Sequence, residues 1–189
     1  MWQEAEEFLS KDEYIGPLIK KWGSCTIKPT KKSLYFEDLV DAICSQQLSG
    51  KAALTIFGRV KKLLVKITSA KILKTDDLKL RECGLSWQKV SYVKDLATQV
   101  ENLKLKIKNL NKLEDNEVIE QLVQVKGIGR WTAEMFLMFS LARPDILPTA
   151  DLGINKALKN LKIKEKDTEK WKPHRTVASW YLWRSLENR

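Results

Sequence analysis

A pair of glycines between two stretches of helical periodicity constrains the fold of this chain more than any other feature. Apolar residues occur at positions 118, 119 and 122 before the glycines and at 131, 135, 138, 139 and 142 after them. This spacing is typical of the buried face of a helix. Gly127 and Gly129 are therefore predicted to lie in a tight helix-to-helix hairpin. Such a reversal needs positive φ at some position and close approach of backbones, and glycine permits both.

The residues around this hairpin favour binding of a phosphate group. The N–H groups of Gly127, Gly129 and Arg130 stand at the start of the second helix, where backbone donors lack helical partners and the helix dipole is positive. Lys126 and Arg130 add positive charge. An ordinary interhelical turn is the alternative. A dinucleotide-binding fingerprint is disfavoured, because Thr132 replaces its third glycine and no strand pattern precedes the turn.

Helical periodicity extends through the chain and predicts an all-α fold. Two of the apolar stripes comprise Phe36, Leu39, Val40, Ile43 and Cys44, and Val90, Val93, Ala97, Val100 and Leu103. No stretch has the alternation of a strand. We expect residues 1–189 to form a single unit of two helical lobes: about 35–145, with the hairpin at 122–133, and 1–34 together with 146–189.

The charge balance indicates a polyanionic partner. The chain has 34 Lys and Arg against 24 Asp and Glu, a formal net charge of +10. We expect an intracellular protein without a membrane partner, since the N-terminal residues lack the positive region of a signal peptide and no apolar run approaches the roughly 18 residues of a membrane span. Cys25, Cys44 and Cys83 match no zinc or disulfide spacing and are expected to be reduced and structural.

One acidic residue stands at a predicted helix start. Asp151 follows the loop Pro148-Thr149-Ala150 and precedes an apolar-periodic run beginning at Ile154. An aspartate at such a position often caps the helix. The alternative is a carboxylate held beside a DNA-binding element, where it would stabilise positive charge developing on a sugar.

Several short motifs follow one another along the chain. They are Gly127-Ile-Gly-Arg-Trp-Thr-Ala133, Asp151-Leu-Gly153, Gln46-Gln-Leu-Ser49, Gly84-Leu-Ser86 with Lys89 and Tyr92, and Trp171-x-Pro-x-Arg175 with Tyr181-Leu-Trp183. Together they resemble the helix-hairpin-helix DNA glycosylases, in particular the DNA-3-methyladenine glycosylase II branch, over roughly residues 10–187. The resemblance implies the glycosylase fold of that family, with the active-site cleft between two helical lobes.

The resemblance also implies an activity and a catalytic residue. Asp151 would be the catalytic carboxylate of a monofunctional DNA glycosylase of base excision repair, acting on a nucleotide flipped out of double-stranded DNA. The implied substrates are alkylated purines of the 3-methyladenine and 7-methylguanine type, and the product is an abasic site. A glycosylase for deaminated or oxidised bases and a non-catalytic binder of damaged DNA remain as alternatives.

Trp131 distinguishes two reaction types within that family. In its bifunctional members the catalytic lysine directly follows the hairpin, and here that position is Trp131, so no lyase activity is expected. Trp131 and Trp183 match positions that line the base pocket, where their rings would suit cationic bases. The alternative is that both are core residues. The family often has an aromatic residue where Met135 stands.

The remaining motif positions are predicted to contact DNA. The turn Gln46, Gln47, Leu48 and Ser49 matches the segment that fills the space left by the flipped nucleotide, with Gln47 and Leu48 as wedge candidates. Leu48 could equally be the last core residue of its helix. The hairpin contacts would come from Lys126, Gly127, Gly129, Arg130 and Thr132. Arg175 either touches DNA or belongs to a charged surface turn.

No cofactor is expected to be required. The hairpin of this family commonly binds a monovalent cation through backbone carbonyls, and the resemblance assigns these to Val123, Val125 and Ile128 as a Na⁺ or K⁺ site. No cysteine follows Cys83, so the C-terminal iron–sulfur cluster of the endonuclease III branch is not expected. We expect a monomer.

Overall fold

The computed structural model describes residues 1–187 and builds that part of the chain from helices, without a strand. The prediction of an all-α fold is confirmed. The α-helices are α1 Gln3–Leu9, α2 Ile15–Trp22, α3 Tyr35–Ser45, α4 Gly50–Leu64, α5 Ser69–Lys74, α6 Asp77–Glu82, α7 Trp87–Glu101, α8 Asp115–Leu122, α9 Arg130–Met135, α10 Leu152–Asn160 and α11 Arg175–Ser185. Short 3₁₀ helices span Lys32–Leu34, Ile107–Lys112 and Glu165–Trp171, and a π-helical segment spans Phe136–Ser140. No helix within residues 1–187 is long and apolar enough to cross a membrane.

The chain divides into two compact units. The terminal unit contains Met1–Pro29 and Leu137–Arg189, and the central unit contains Thr30–Phe136. Both divisions come earlier in the chain than the boundaries near 35 and 145 that periodicity suggested. The second division has a physical reason: the Phe136 ring packs edge-on against Tyr35 in the central unit, whereas the loop that follows the π-helical segment is bonded to α11.

The central unit is built around buried residues of α3 and α7. The side chains of Leu39, Val40 and Ile43 are fully buried in α3, which packs against α4 and α7, while α5 packs against α7. The four helices α4 to α7 each begin with a short polar side chain that accepts a backbone N–H of the first turn. These caps are Ser49, Thr68, Asp76 and Ser86, and they satisfy donors that a helix leaves unpaired.

The terminal unit is organised around α11. The side chains of Val177, Ala178 and Leu182 are fully buried, and α11 packs against α2 and α10. Tyr181 is also buried, and its Oη donates to the Gly23 carbonyl at 2.8 Å. A single hydrophobic cluster therefore joins helices from both ends of the chain.

Two predicted helices end earlier than the apolar pattern indicated. The helix after the hairpin ends at Met135 and continues as the π-helical segment, and Ala142 lies beyond it with φ 51°. Leu103 follows the end of α7 with φ 57° and is 72 % exposed, so it does not belong to the α7 stripe. A residue in the left-handed region closes a helix C-terminus, and neither residue type announces that conformation in sequence.

Candidate active site

The hairpin between α8 and α9 has the predicted form. Gly127 has φ +82°, and a Cβ added there would collide with the Tyr92 ring, so both conformation and space require glycine. Gly129 has the ordinary φ of −90° at the N-cap of α9, and a Cβ there would meet open space. Gly129 therefore leaves the backbone at the start of α9 open to an approaching group.

Two side chains of α7 form hydrogen bonds to the main chain of the hairpin. Asp95 Oδ2 accepts the Lys126 N–H at 2.9 Å. Gln99 Nε2 donates to the Gln124 carbonyl at 2.9 Å and to Asp95 Oδ2 at 3.1 Å. The main chain of the hairpin is thus fixed, while the Lys126 side chain is exposed.

The exposed Arg130 side chain is held by the buried carboxylate of Glu134. Its Nε donates to Glu134 Oε1 at 2.9 Å, and the two side chains are 68 % and 8 % exposed. Burial raises the pKa of Glu134, and the Arg130 guanidinium opposes that rise. The arginine is therefore anchored on one edge, with most of its surface turned to solvent.

The turn after α3 is bonded to the hairpin and to α7. Gln46 Nε2 donates to the Gly127 carbonyl at 2.7 Å. Lys89 Nζ donates to the carbonyls of Cys44 at 2.8 Å and Gln46 at 2.7 Å, and desolvation lowers the pKa of Lys89. These bonds hold the turn of residues 46–49 between the hairpin and α7, and it is called the bracketed turn below.

The wedge candidates lie within this bracketed turn. Gln47 has φ 56°, in the left-handed region, and Leu48 is 37 % exposed. Leu48 lies beyond the end of α3, so the alternative that it is the last core residue of that helix is wrong. Its role as a wedge stays a prediction. Ser49 caps α4 by accepting the Ala52 N–H.

A cavity of about 640 Å³ opens beside these elements in the central unit. Its walls include Gln46, Leu48, Lys89, Tyr92, Trp131 and Met135. Trp131 is 42 % exposed and so is not a core residue. Thr132 lines the same cavity and is buried, and its predicted contact with DNA stays a prediction.

Asp151 caps α10 and is fixed by two N–H donors. Its Oδ1 accepts the Ile154 N–H at 2.8 Å and the Trp183 indole Nε1–H at 2.8 Å. The capping interpretation is therefore confirmed as geometry. The second donor comes from α11 and is not part of a cap.

Trp183 is held between a ring and the α10 start. Its indole lies 5.7 Å from the Phe139 ring with an interplanar angle of 30°. A Cβ on Gly153 would lie 2.9 Å from Trp183 Cδ1 and 3.0 Å from Asp151 Oδ1. Glycine at 153 thus makes room for the indole to reach the carboxylate. The predicted role of Trp183 as a base-pocket wall stays a prediction.

The predicted cation ligands lie in the hairpin. The carbonyl of Val125 accepts the Ile128 N–H at 3.0 Å, and a carbonyl oxygen retains a second lone pair for a cation. Residues 1–187 contain no group of three or more His, Cys, Asp or Glu side chains arranged to hold a metal. The cation site of Val123, Val125 and Ile128 stays a prediction.

Residues 40–180 match the family model described as HhH-GPD superfamily base excision DNA repair protein. The chain belongs to the HhH-GPD superfamily. The match includes the bracketed turn, the hairpin and Asp151. Trp183 lies just beyond it.

Similar proteins include relatives from one fission yeast. The chain is 34% identical over 200 residues to the alkylbase DNA glycosidase-like protein mag2 of Schizosaccharomyces pombe, covering 96% of this chain and 92% of that protein. It is 39% identical over 163 residues to DNA-3-methyladenine glycosylase 1 of the same organism, covering 79% and 72%. The structure of S. pombe 3-methyladenine DNA glycosylase (Mag1) in complex with abasic DNA matches with a TM-score of 0.84 at 36% identity, over 97% of this chain and 96% of that one.

Several residues of this HhH-GPD site were missed by sequence reasoning. Glu134 follows Arg130 by one helical turn, and that spacing was a usable signal for an ion pair. Lys89 was noted only as part of a motif, and its carbonyl acceptors are 45 and 43 residues away in sequence. For Asp95 no local pattern gave a signal.

Proposed function

We propose that this chain is a monofunctional DNA glycosylase that removes alkylated purines from double-stranded DNA, leaving an abasic site, with Asp151 as the catalytic carboxylate. The observation that carries the proposal is the fixed geometry of Asp151, whose Oδ1 is held by the Ile154 and Trp183 N–H groups, in a chain of the HhH-GPD superfamily. The names of the S. pombe relatives support 3-methyladenine as the substrate type.

Asp151 supplies the negative charge in this reaction, from a carboxylate whose Oδ1 is held by two N–H groups. When the bond from C1′ to the base nitrogen breaks, its electron pair leaves with the alkylated base, and positive charge develops on the sugar. The carboxylate stabilises that charge. Water then adds at C1′, and its proton passes to the carboxylate or to solvent. A base that already carries positive charge leaves readily, so one carboxylate is sufficient.

Trp131 supports a hydrolytic rather than a lyase reaction. It occupies the position directly after the hairpin at which the bifunctional members of the family have their lysine. An indole nitrogen cannot form a Schiff base with the abasic sugar. The DNA strand therefore stays intact after the base is released, and alkali is needed to break it.

The hairpin and the bracketed turn provide the DNA contacts in this proposal. Lys126, Arg130 and the open backbone at Gly129 face a phosphate, and a monovalent cation on the hairpin carbonyls would bridge to the same phosphate. Each phosphate neutralised contributes about −0.9 to the slope of log K against log salt. Binding should therefore weaken steeply as salt is raised.

The test is release of free base from methylated duplex DNA by the purified protein and by Asp151→Asn. Asparagine keeps the size of the side chain and its carbonyl oxygen but removes the charge. We expect release by the wild type only, salt-dependent DNA binding by both, and strand breaks only after alkali. Binding without release would contradict the proposed substrate, and substrates with deaminated or oxidised bases would then distinguish another glycosylase from a non-catalytic binder.

A further inference from the structure

The loop that leads to Asp151 is fastened to the first turn of α11 by an arginine fork. Arg175 Nε donates to Asp145 Oδ1 at 2.7 Å, and Arg175 Nη2 donates to Asp145 Oδ2 at 2.9 Å. The side chains are 20 % and 27 % exposed. Two parallel charge-assisted bonds fix orientation as well as distance, so this ion pair holds the loop at Asp145 in one orientation against α11.

A buried threonine next to the fork binds the main chain of the same loop. Thr176 Oγ1 donates to the Arg143 carbonyl at 2.6 Å and accepts the Ile146 N–H at 3.0 Å. The Thr176 N–H donates to the Pro144 carbonyl at 3.0 Å. The hydroxyl is thus used as donor and acceptor at once, and the loop backbone is held on both sides of Asp145.

The same helix also holds the far end of the loop. Arg175, Ser179 and Trp183 are spaced four residues apart, which places them on one face of α11. Ser179 Oγ donates to the Ile146 carbonyl at 3.4 Å, and Trp183 Nε1 donates to Asp151 Oδ1 at 2.8 Å. α11 therefore fixes the distance between the start of the loop and its carboxylate.

We infer that α11 positions Asp151: Arg175 and Thr176 hold the loop, and Trp183 holds the carboxylate. Gly153 completes this arrangement because any larger residue would push the indole from Asp151 Oδ1. The inference rests on the proposed function of Asp151. None of the positioning residues needs to touch DNA, which also accounts for Arg175: its donors are used on Asp145 and Glu169.

This positioning matters for catalysis because misplacement of a reacting group by about 1 Å can cost on the order of a hundredfold in rate. A purely structural role makes a different prediction. Loss of activity would then follow loss of folded protein, and the surviving folded molecules would react at the normal rate. Positioning instead predicts a slower chemical step in a protein that remains folded and still binds DNA.

The sharpest variant is Gly153→Ala, which leaves every hydrogen-bonding group in place. Gly153 does not have positive φ, and alanine is the better helix former, so the fold should be retained. We expect the single-turnover rate of base release to fall about tenfold, with unchanged affinity for abasic-site DNA. Gly58→Ala in α4 is the matched control, since a Cβ there meets open space, and it should behave as wild type.

The second variant is Arg175→Lys, which keeps the charge and removes the fork. Hydrogen–deuterium exchange in the loop of residues 143–151 should rise, and the rate of base release should fall at unchanged DNA affinity. Arg184→Lys is the control, because Arg184 lies on the same helix but pairs with Glu187. Retention of the wild-type rate in Thr176→Ser, together with a slower rate in Thr176→Val, would show that the bonds of the hydroxyl are responsible.

Each possible result separates the two proposals. If wild-type protein releases base but Gly153→Ala and Arg175→Lys react at the wild-type rate, the positioning inference is wrong and the proposed function stands. If wild-type protein releases no base from any DNA tested, the proposed function is wrong. In that case the exchange measurement still reports whether α11 fixes the loop, and unchanged exchange in Arg175→Lys would overturn that claim as well.

Discussion

Two arginine–carboxylate pairs in this molecule differ in how far the arginine is exposed to solvent. In the central unit, Arg130 is 68 % exposed and its partner Glu134 is 8 % exposed, so the cation is offered to a ligand and the acid is the anchor. In the terminal unit, Arg175 and Asp145 are both largely covered, and the arginine is turned onto the protein. The region around the hairpin therefore exposes the cation of its ion pair and buries the acid, whereas the region around Asp151 covers both partners of its ion pair.

The largest effect is expected when tryptophan is replaced by phenylalanine, a substitution that can be made in both regions, at Trp183 and at Trp131. Trp183→Phe keeps a ring beside Phe139 but removes the N–H that holds Asp151 Oδ1. Loss of one preorganised donor costs on the order of a hundredfold where it acts on the reacting charge, and about tenfold is expected here because the donor acts through the carboxylate. Trp131→Phe keeps an aromatic wall in the cavity and should lower the rate only a few-fold.

Single-turnover rates and dissociation constants for abasic-site DNA, measured on both variants, test the contrast. Trp183→Phe should change the rate and leave the dissociation constant unaltered. Trp131→Phe should change discrimination between alkylated bases more than the rate on one of them. Equal losses of rate in the two variants would contradict the contrast between the two regions, because Trp183 would then act as a pocket wall like Trp131.

A smaller effect is expected when the bonds from Lys89 to the bracketed turn are removed. Lys89→Met removes both ammonium bonds to the carbonyls of Cys44 and Gln46 but keeps the length of the side chain. We expect base flipping, monitored by 2-aminopurine fluorescence beside a lesion, to weaken roughly fivefold. This corresponds to about 1 kcal/mol, which is half of what two bonds of about 1 kcal/mol each contribute, because the bond of Gln46 to Gly127 still holds the turn. The rate of base release from the flipped state should be retained.

Lys94→Met provides the matched control for that experiment. Lys94 is also on α7, and its ammonium also donates to two carbonyls, those of Leu73 and Thr75. It therefore has similar chemistry away from the bracketed turn, with an additional ion pair to Asp77 at 3.0 Å. A fluorescence change of the same size in both variants would mean that the effect comes from α7 as a whole and not from the bracket around Gln46.

Local and long-range contacts differ in how far the sequence predicts them. The all-α fold, the hairpin and the need for glycine at 127 follow from periodicity and local backbone geometry, which adjacent residues determine. The partners of Lys89 and Arg175 are distant in sequence, and no local pattern specifies them. Asp151 illustrates both cases: its capping bond to Ile154 spans three residues, while its bond to Trp183 spans 32.

The smallest predicted effect concerns the pH dependence of stability at Glu134. Burial raises the pKa of this carboxyl in the folded state, so the folded protein holds the proton more tightly than the unfolded chain. The free energy of unfolding therefore falls as pH rises from the ordinary glutamate pKa through the raised one, and the loss persists above that range. Glu134→Gln cannot titrate, so it should lose less stability than the wild type over the same range.

Urea unfolding of the two proteins at several pH values measures this difference. The stability of Glu134→Gln relative to wild type should increase as pH rises through the window and be constant above it. The interaction of the ionised carboxylate with Arg130 is already contained in the net pKa shift of Glu134, and any change in packing caused by the substitution adds an offset that does not vary with pH. The slope and not the absolute value is thus the decisive quantity. A difference that does not vary with pH would contradict the raised pKa and show that the Arg130 guanidinium fully offsets the burial of Glu134, so that the exposed arginine of the central unit is paired with an ionised carboxylate, as Arg175 is.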